Sequence, residues 1–171
     1  MVTASCATLV RTGREKTSIE KAPKLALVGS SGGHLTQLLV LRRFWERYER
    51  FWVTFDTADA VSALADERTI WCHHPTNRHL PNLLRNSILA ARVIWRERPT
   101  HIVSTGAATA VPFFWIGRLF GAKTIYIEVY DRIEAPTLTG RLVRPVAHHM
   151  LVQWPEQAAF YRQSEVVGPL L

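Results

Sequence analysis

The chain is predicted to fold as an α/β domain, a Rossmann-like, doubly wound parallel sheet of six or seven strands. Short apolar runs alternate with stretches of helical spacing along most of its length. The runs are continuously apolar, as strands covered on both faces must be. Turns rich in glycine and hydroxyls follow the first and the fourth run. Open α/β sheets take their ligands at that edge, beyond the carboxyl ends of the strands.

The elements follow in order. Residues 24–29 (KLALVG) read as a first buried strand ending in glycine. Residues 34–50 carry Leu38, Leu41, Trp45 and Tyr48 three and four apart, the spacing of a helix with one apolar face. A strand over 51–56, a short helix over 58–66 and a strand over 69–73 come next. Pro75, Asn77 and Pro81 break the pattern, and Asn82 is the expected N-cap of a helix running to about 98. A fourth strand spans 101–104, and a helix follows over 107–120 with Pro112 in its first turn. Gly121 stops that helix before a fifth strand over 123–129. The remaining pattern is a helix over 139–145, a strand over 150–153, a helix over 155–161 and a last strand over 165–167.

Residues 1–22 are polar and mixed in charge and are expected to form a flexible tail, leaving 23–171 as one domain. With 171 residues, 47% hydrophobic and 20% charged, disordered, collagen-like and low-complexity classes are excluded for the bulk of the chain. Cys6 and Cys72 cannot build a disulfide framework. A net charge of +7 favours anionic partners, whether nucleic acid, acidic lipid or phosphorylated small molecules. The basic residues are spread over several elements with no reading motif, so nucleic acid is not expected. No apolar run approaches the roughly 20 residues that cross a bilayer. A cytoplasmic protein is expected, lying on a membrane surface.

Two turns carry the candidate chemistry. In Gly29-Ser30-Ser31-Gly32-Gly33-His34, glycines allow close backbone approach and the following helix offers free amides, a natural anion site. The spacing is neither a P-loop nor the GxGxxG fingerprint. Ser104-Thr105-Gly106-Ala107-Ala108-Thr109 offers amides and hydroxyls after the fourth strand. Two such turns flanking the point where strand order reverses suggest a pyrophosphate, although either could be a plain turn. His34, at the first helix, is a candidate general base, with a cap or phosphate ligand as its other reading. Glu128 ends the fifth strand on the same rim, where a carboxylate is as often a cap or ion-pair partner as a catalyst.

Two segments are more apolar than an ordinary surface. In one, Leu84, Ile88 and Trp95 lie among Arg85, Arg92 and Arg96; in the other, Phe113, Phe114 and Trp115 lead to Arg118. They are buried helices or a patch that dips into a bilayer while arginines meet anionic lipid. Leu84, Ile88, Arg92, Trp95, Phe113, Phe114 and Trp115 are the membrane-facing candidates. His73–His74 and His148–His149 are not expected to bind metal, because neighbours on a strand point to opposite faces.

The segments GSSGGH, VSTGAATAVPFFWIGRLFGAKTIYIEVYDRIEAPTLTGRLVRP, LVQWPEQAAFY and VVGPLL together resemble the PssD type of bacterial polysaccharide-synthesis protein. They also resemble the related asparagine-linked-glycosylation-14 family of eukaryotes and, at the GGH turn, MurG. The resemblance runs from about residue 24 to the C-terminus. It implies the N-terminal half of a split GT-B glycosyltransferase. This chain would hold a polyprenyl-diphosphate-linked acceptor at a membrane, and a separate PssE-type chain would bind a UDP-sugar. Eukaryotic members carry an N-terminal membrane anchor; here attachment is expected to rest on the apolar helices or the partner. Ser30, Ser31, Gly32, Gly33, Thr105, Gly106, Ala107, Ala108 and Thr109 would then face the acceptor diphosphate. His34 and Glu128 take the places of the family's loop histidine and strand-end glutamate.

The implied function is inverting sugar transfer in exopolysaccharide or capsule synthesis, with no cofactor and no metal. Two other readings stand beside it. One is a non-catalytic scaffold that recruits a competent donor-binding subunit to the membrane. The other is a stand-alone nucleotide-binding enzyme, disfavoured because only Asp56 and Asp59 could serve a ribose.

Overall fold

A computed structural model of the chain describes residues 22–76 and 79–171. The expected tail, apart from Ala22, lies outside the described residues. The strands are β1 (Lys24–Val28), β2 (Glu49–Phe55), β3 (Thr69–Cys72), β4 (His101–Ser104), β5 (Lys123–Ile127), β6 (His149–Val152) and β7 (Glu165–Val166). They form one sheet in the order β3-β2-β1-β4-β5-β6-β7, every neighbouring pair parallel. The helices are α1 (Gly33–Leu39), α2 (Arg42–Trp45), α3 (Ala58–Ala63), α4 (Leu80–Glu97), α5 (Ala110–Leu119), α6 (Leu138–Val143) and α7 (Pro155–Ala158). A 3₁₀ turn, Arg144–Val146, follows α6.

Strand side chains alternate between two cores, as the period of two requires. Leu25, Leu27, Trp52, Val103 and Ile125 pack against Leu35 and Leu38 of α1, Phe44 and Trp45 of α2 and Ala60 of α3. Ala26, Val28, Phe51, Val53 and Ile102 pack against Ala90, Val93 and Ile94 of α4, Phe113 and Phe114 of α5 and Val143 of α6. Both faces are therefore covered, which is why the strands are apolar throughout. Sequence order reverses between β1 and β4, so the turns after these two strands lie side by side at the switch point.

Three elements depart from the sequence reading. The helix expected over 34–50 breaks at Val40–Leu41 into α1 and α2. The buried Trp45 indole donates to the Leu38 carbonyl at 2.8 Å and sits edge-on to Trp52, 5.3 Å between centroids. The break thus turns a large ring into the core and gives its N–H the Leu38 carbonyl, which also accepts from the Leu41 amide at 3.2 Å. Asn82 is not the cap of α4: that helix starts at Leu80, and the His79 ring accepts from the Asn82 amide at 3.2 Å. The Asn82 side chain instead donates to the Pro75 carbonyl at 2.9 Å, tying the preceding turn to the helix. The helix expected from 107 starts at Ala110, because Gly106 and Ala107 both take positive φ, 119° and 72°.

Candidate active site

The first turn is shaped by its neighbours. Gly29 leaves β1 with its amide on the Val53 carbonyl at 3.0 Å, and a Cβ there would come 3.3 Å from Leu38. Gly32, at φ 69°, precedes α1. Its amide already has a partner: the Asp59 carboxylate accepts from it at 3.1 Å. The Thr57 hydroxyl and then that amide hold the Asp59 carboxyl below its usual range. Ser30 and Ser31 are half-buried and Gly33 is exposed. This rim is stapled by an acid that the sequence reading assigned no place there.

The second turn locks onto the first. His34 Nδ1 donates to the Thr105 carbonyl at 2.8 Å, and the Thr105 hydroxyl donates to the His34 carbonyl at 2.7 Å. A carbonyl only accepts, so the proton sits on Nδ1, and in the neutral ring Nε2 carries the lone pair. Gly106 is required beneath this ring: a Cβ there would stand 2.9 Å from His34 Cε1 and 3.2 Å from the Tyr126 hydroxyl. The amide of Gly106 is held by the Ser104 hydroxyl at 3.0 Å. The half-buried His34 is thereby oriented by a backbone 71 residues away in sequence.

Several expectations change here. Thr105 and Thr109 are buried, and the Thr105 hydroxyl is spent on His34, so these hydroxyls do not line an open anion cradle. The half-buried backbone of Ala107 and Ala108 is what the turn presents. Glu128 is fully buried rather than poised on the rim. Its carboxylate accepts from the hydroxyls of Tyr161 and Thr137 and from the Val129 amide, the latter two at 3.0 Å. Gly140 packs against it because any side chain there would strike Glu128 and Tyr161. Burial and then the Glu128 charge push the Tyr126 phenol well up; burial and then the Glu128 hydrogen bond do the same to Tyr161. A carboxylate so enclosed serves as a structural hub, not a base exchanging protons with a ligand. Tyr126, Thr137 and Tyr161 carried no sequence signal; only the chain's return in α6 and after α7 gathers them.

A second buried network extends from the hub. Gln153 donates to Gln37 at 2.7 Å and to the Glu128 carbonyl at 2.9 Å, while Gln157 donates to the Val129 carbonyl at 2.7 Å. It fixes the segment after β5 against α1 and α7. Among the described residues, no three His, Cys, Asp or Glu side chains are grouped to hold a metal ion.

The apolar helices divide. Phe113 and Phe114 are wholly buried in the core, so they do not face a membrane; their side of α5 is the one that meets β4 and β5. Trp115 is 45% exposed on the other side of α5. Leu84, Ile88 and Trp95 on α4 are exposed, as is Arg92. Leu80, Leu119, Phe120, Leu138 and Leu142 are exposed as well and were not among the membrane-facing candidates. The charged residues of α4, α5 and α6 are Arg85, Arg92, Arg96, Arg118, Arg141 and a single acid, Glu97. That acid is buried and paired with Lys24 and Arg68. The helical layer thus presents apolar groups and uncompensated positive charge together. No helix among the described residues is long and apolar enough to cross a membrane.

Comparison with known proteins places this geometry. The family model described as "Oligosaccharide biosynthesis protein Alg14 like" matches residues 68–170, more than half of the chain. The chain belongs to the Alg14-like family. A relative from Candida albicans named "UDP-N-acetylglucosamine transferase subunit ALG14" is 26% identical over 187 residues, covering 92% of this chain and 85% of its own. A mouse protein of the same name is 26% identical over 85 residues, covering 46% of this chain and 39% of its own. MurG of Acinetobacter baumannii shares the fold at a TM-score of 0.71 and 17% identity, covering 85% of this chain. The aligned part is 45% of the MurG chain, about half. The Alg14-like chain therefore has a Rossmann-like fold, the fold of GT-B N-terminal halves such as that of MurG.

Proposed function

We propose that this chain is the acceptor-binding subunit of a two-chain, inverting glycosyltransferase that works on the inner face of the cell membrane. The acceptor is a polyprenyl-diphosphate-linked saccharide, the donor is a UDP-sugar held by a separate chain equivalent to the other GT-B half, and the product belongs to exopolysaccharide or capsule synthesis. The single observation that carries the reading is the His34–Thr105 lock at the switch point, which leaves His34 Nε2 as an oriented acceptor. Family membership, relatives named as transferase subunits, and an apolar, basic helical layer support it.

In the proposed reaction, His34 Nε2 takes the proton from the acceptor hydroxyl. The freed oxygen pair attacks the anomeric carbon from the face opposite UDP. The bond from that carbon to the β-phosphate oxygen breaks, its electrons leave with UDP, and configuration inverts. The imidazolium returns its proton to solvent. Donors on the partner chain stabilise the charge on UDP. Backbone of Ser30 to Gly33 and of Ala107 and Ala108 borders the acceptor diphosphate, while Leu84, Ile88, Arg92, Trp95 and Trp115 rest on the bilayer.

Co-expression with the donor-binding chain tests this. Transfer from a panel of UDP-sugars to a lipid-linked monosaccharide is expected only when both chains are present. Full turnover by the donor-binding chain alone in detergent would instead make this chain a scaffold.

A further inference from the structure

Arg144, Ala147, His148, Met150, Arg162 and Gln163 line a cavity of about 340 Å³. Ala147 and His148 lead into β6, and Arg162 and Gln163 lead into β7, so the cavity lies at the amino edge of the sheet. The two turns of the proposed active site are at the opposite edge, and the reaction above uses nothing here. Arg144 and Arg162 are exposed, and their side chains make no hydrogen bond or ion pair with any described residue. No described acid lines the cavity.

Two acids in the neighbourhood do not balance it. Glu165 faces His149 Nδ1 at 3.6 Å, and His149 points to the face of β6 opposite Met150. Glu134 lines an adjoining cavity with Arg141 and Arg144 and forms no ion pair with either. Across the two cavities, three arginines meet one carboxylate. A further guanidinium stands at the margin. His148 Nδ1 accepts from the Thr124 amide at 3.0 Å, and Arg118 lies against Nε2 of the same ring. Burial first, then Arg118, His149 and Lys123, hold the His148 pKa below the ordinary 6.5, so the positive field registers on that ring.

Shape and chemistry narrow the ligand. Two guanidiniums and the Gln163 amide supply donors beside buried Met150 and half-buried Ala147. Guanidinium forks match phosphate oxygens, and two of them suit a dianion better than a single carboxylate. The volume is that of a small-molecule site. No exposed large apolar side chain lines it, and none of its residues is a membrane-facing candidate. Its place gives a ligand structural leverage. Arg162 directly follows Tyr161, whose hydroxyl donates to Glu128. Arg144 directly follows α6, whose Gly140 packs on Tyr161 and Glu128.

We infer that this cavity binds the phosphate of a small phosphorylated molecule from solution, held by Arg144 and Arg162, and that the bound anion ties the end of α6 to the connection into β7. The inference is independent of the proposed transfer reaction.

The test uses the full chain with inorganic phosphate and with glycerol 3-phosphate, by calorimetry and by thermal melts against sodium chloride of equal ionic strength. Both probes are expected to bind and to raise the melting temperature above the chloride control. Arg144→Gln with Arg162→Gln, at exposed positions, should lower affinity about tenfold and abolish that rise. Arg144→Lys with Arg162→Lys keeps the charge without the forks and should fall between. Gly33→Val puts a side chain into open space over the first turn and should leave this binding in place. No binding by the unsubstituted chain, equal affinity in the glutamine variant, or binding lost in Gly33→Val alone would each overturn the inference. So would a glutamine variant that keeps both soluble probes but binds less to vesicles containing phosphatidylglycerol, since the arginines would then be a lipid contact.

Discussion

His34 and Thr105 hold each other by two reciprocal hydrogen bonds, ring to carbonyl at 2.8 Å and hydroxyl to carbonyl at 2.7 Å. The pair joins the turn after β1 to the turn after β4 across the switch point. It sets the tautomer of the His34 ring, with the proton on Nδ1.

If His34 is the base, His34→Ala should lower turnover of the assembled two-chain enzyme about 100-fold or more, with little change in the melting temperature of this chain. Steady-state transfer assays and thermal melts on the same preparations check it. An unchanged rate would remove His34 from the role.

Gly106→Ala tests the lock without touching the ring. The added methyl would stand 2.9 Å from His34 Cε1, and φ of 119° is strained for alanine. A stability loss of about 1–3 kcal/mol is expected, together with a fall in turnover as the ring is displaced. Denaturant unfolding and the transfer assay separate the two effects.

The Glu128 hub should matter through stability. Tyr161→Phe leaves the buried carboxylate one donor short and should cost about 1–3 kcal/mol by urea unfolding. Tyr126 and Tyr161 also have phenol pKa values raised above the ordinary 10.0. The folded state then binds the phenolic protons more tightly than the unfolded state does. Their contribution is complete below pH 10 and is lost as pH rises above it, so alkaline unfolding should begin there, and earlier in the unsubstituted protein than in a Tyr161→Phe comparison normalised for its lower starting stability.

His101 acts in the opposite direction. Burial, and then the nearby Lys123, lowers its pKa from 6.5 to about 4. The unfolded chain binds that proton first, so stability is complete above pH 6.5 and falls between 6.5 and 4. The loss should approach ~3 kcal/mol at the acid end and be absent in His101→Leu, read from urea midpoints across that range.

The two aromatic helices should separate in their response to substitution. Phe113→Ala empties a fully buried site and should cost about 3–5 kcal/mol. Trp95→Ser, at a position 64% exposed, should leave unfolding nearly unchanged while weakening vesicle association. Parallel melts and flotation assays distinguish them.

The strands were legible because their cause is local. The run 101–104 coincides with β4, and the runs beginning at 24, 69, 123 and 165 start where β1, β3, β5 and β7 start. The turn after β1 was legible for the same reason: glycine is the residue that leaves Leu38 room and takes positive φ before α1. The interruption of the first helix was not, since it depends on where Trp45 finds Trp52, and spacing alone continues through it.

From its sequence alone this protein was determined to be a doubly wound parallel sheet with two turns converging on one rim, since composition and period act over a few neighbouring residues. Only the tertiary structure decided that Glu128 lies sealed among Tyr161, Thr137 and Val129, and that Asp59 occupies an amide of the first turn. It also turned Phe113 and Phe114 inward and Trp115 outward, although α5 is apolar around nearly its whole circumference. Those outcomes rest on contacts between elements far apart in the chain, and a side chain's access to solvent or ligand is set by what packs upon it.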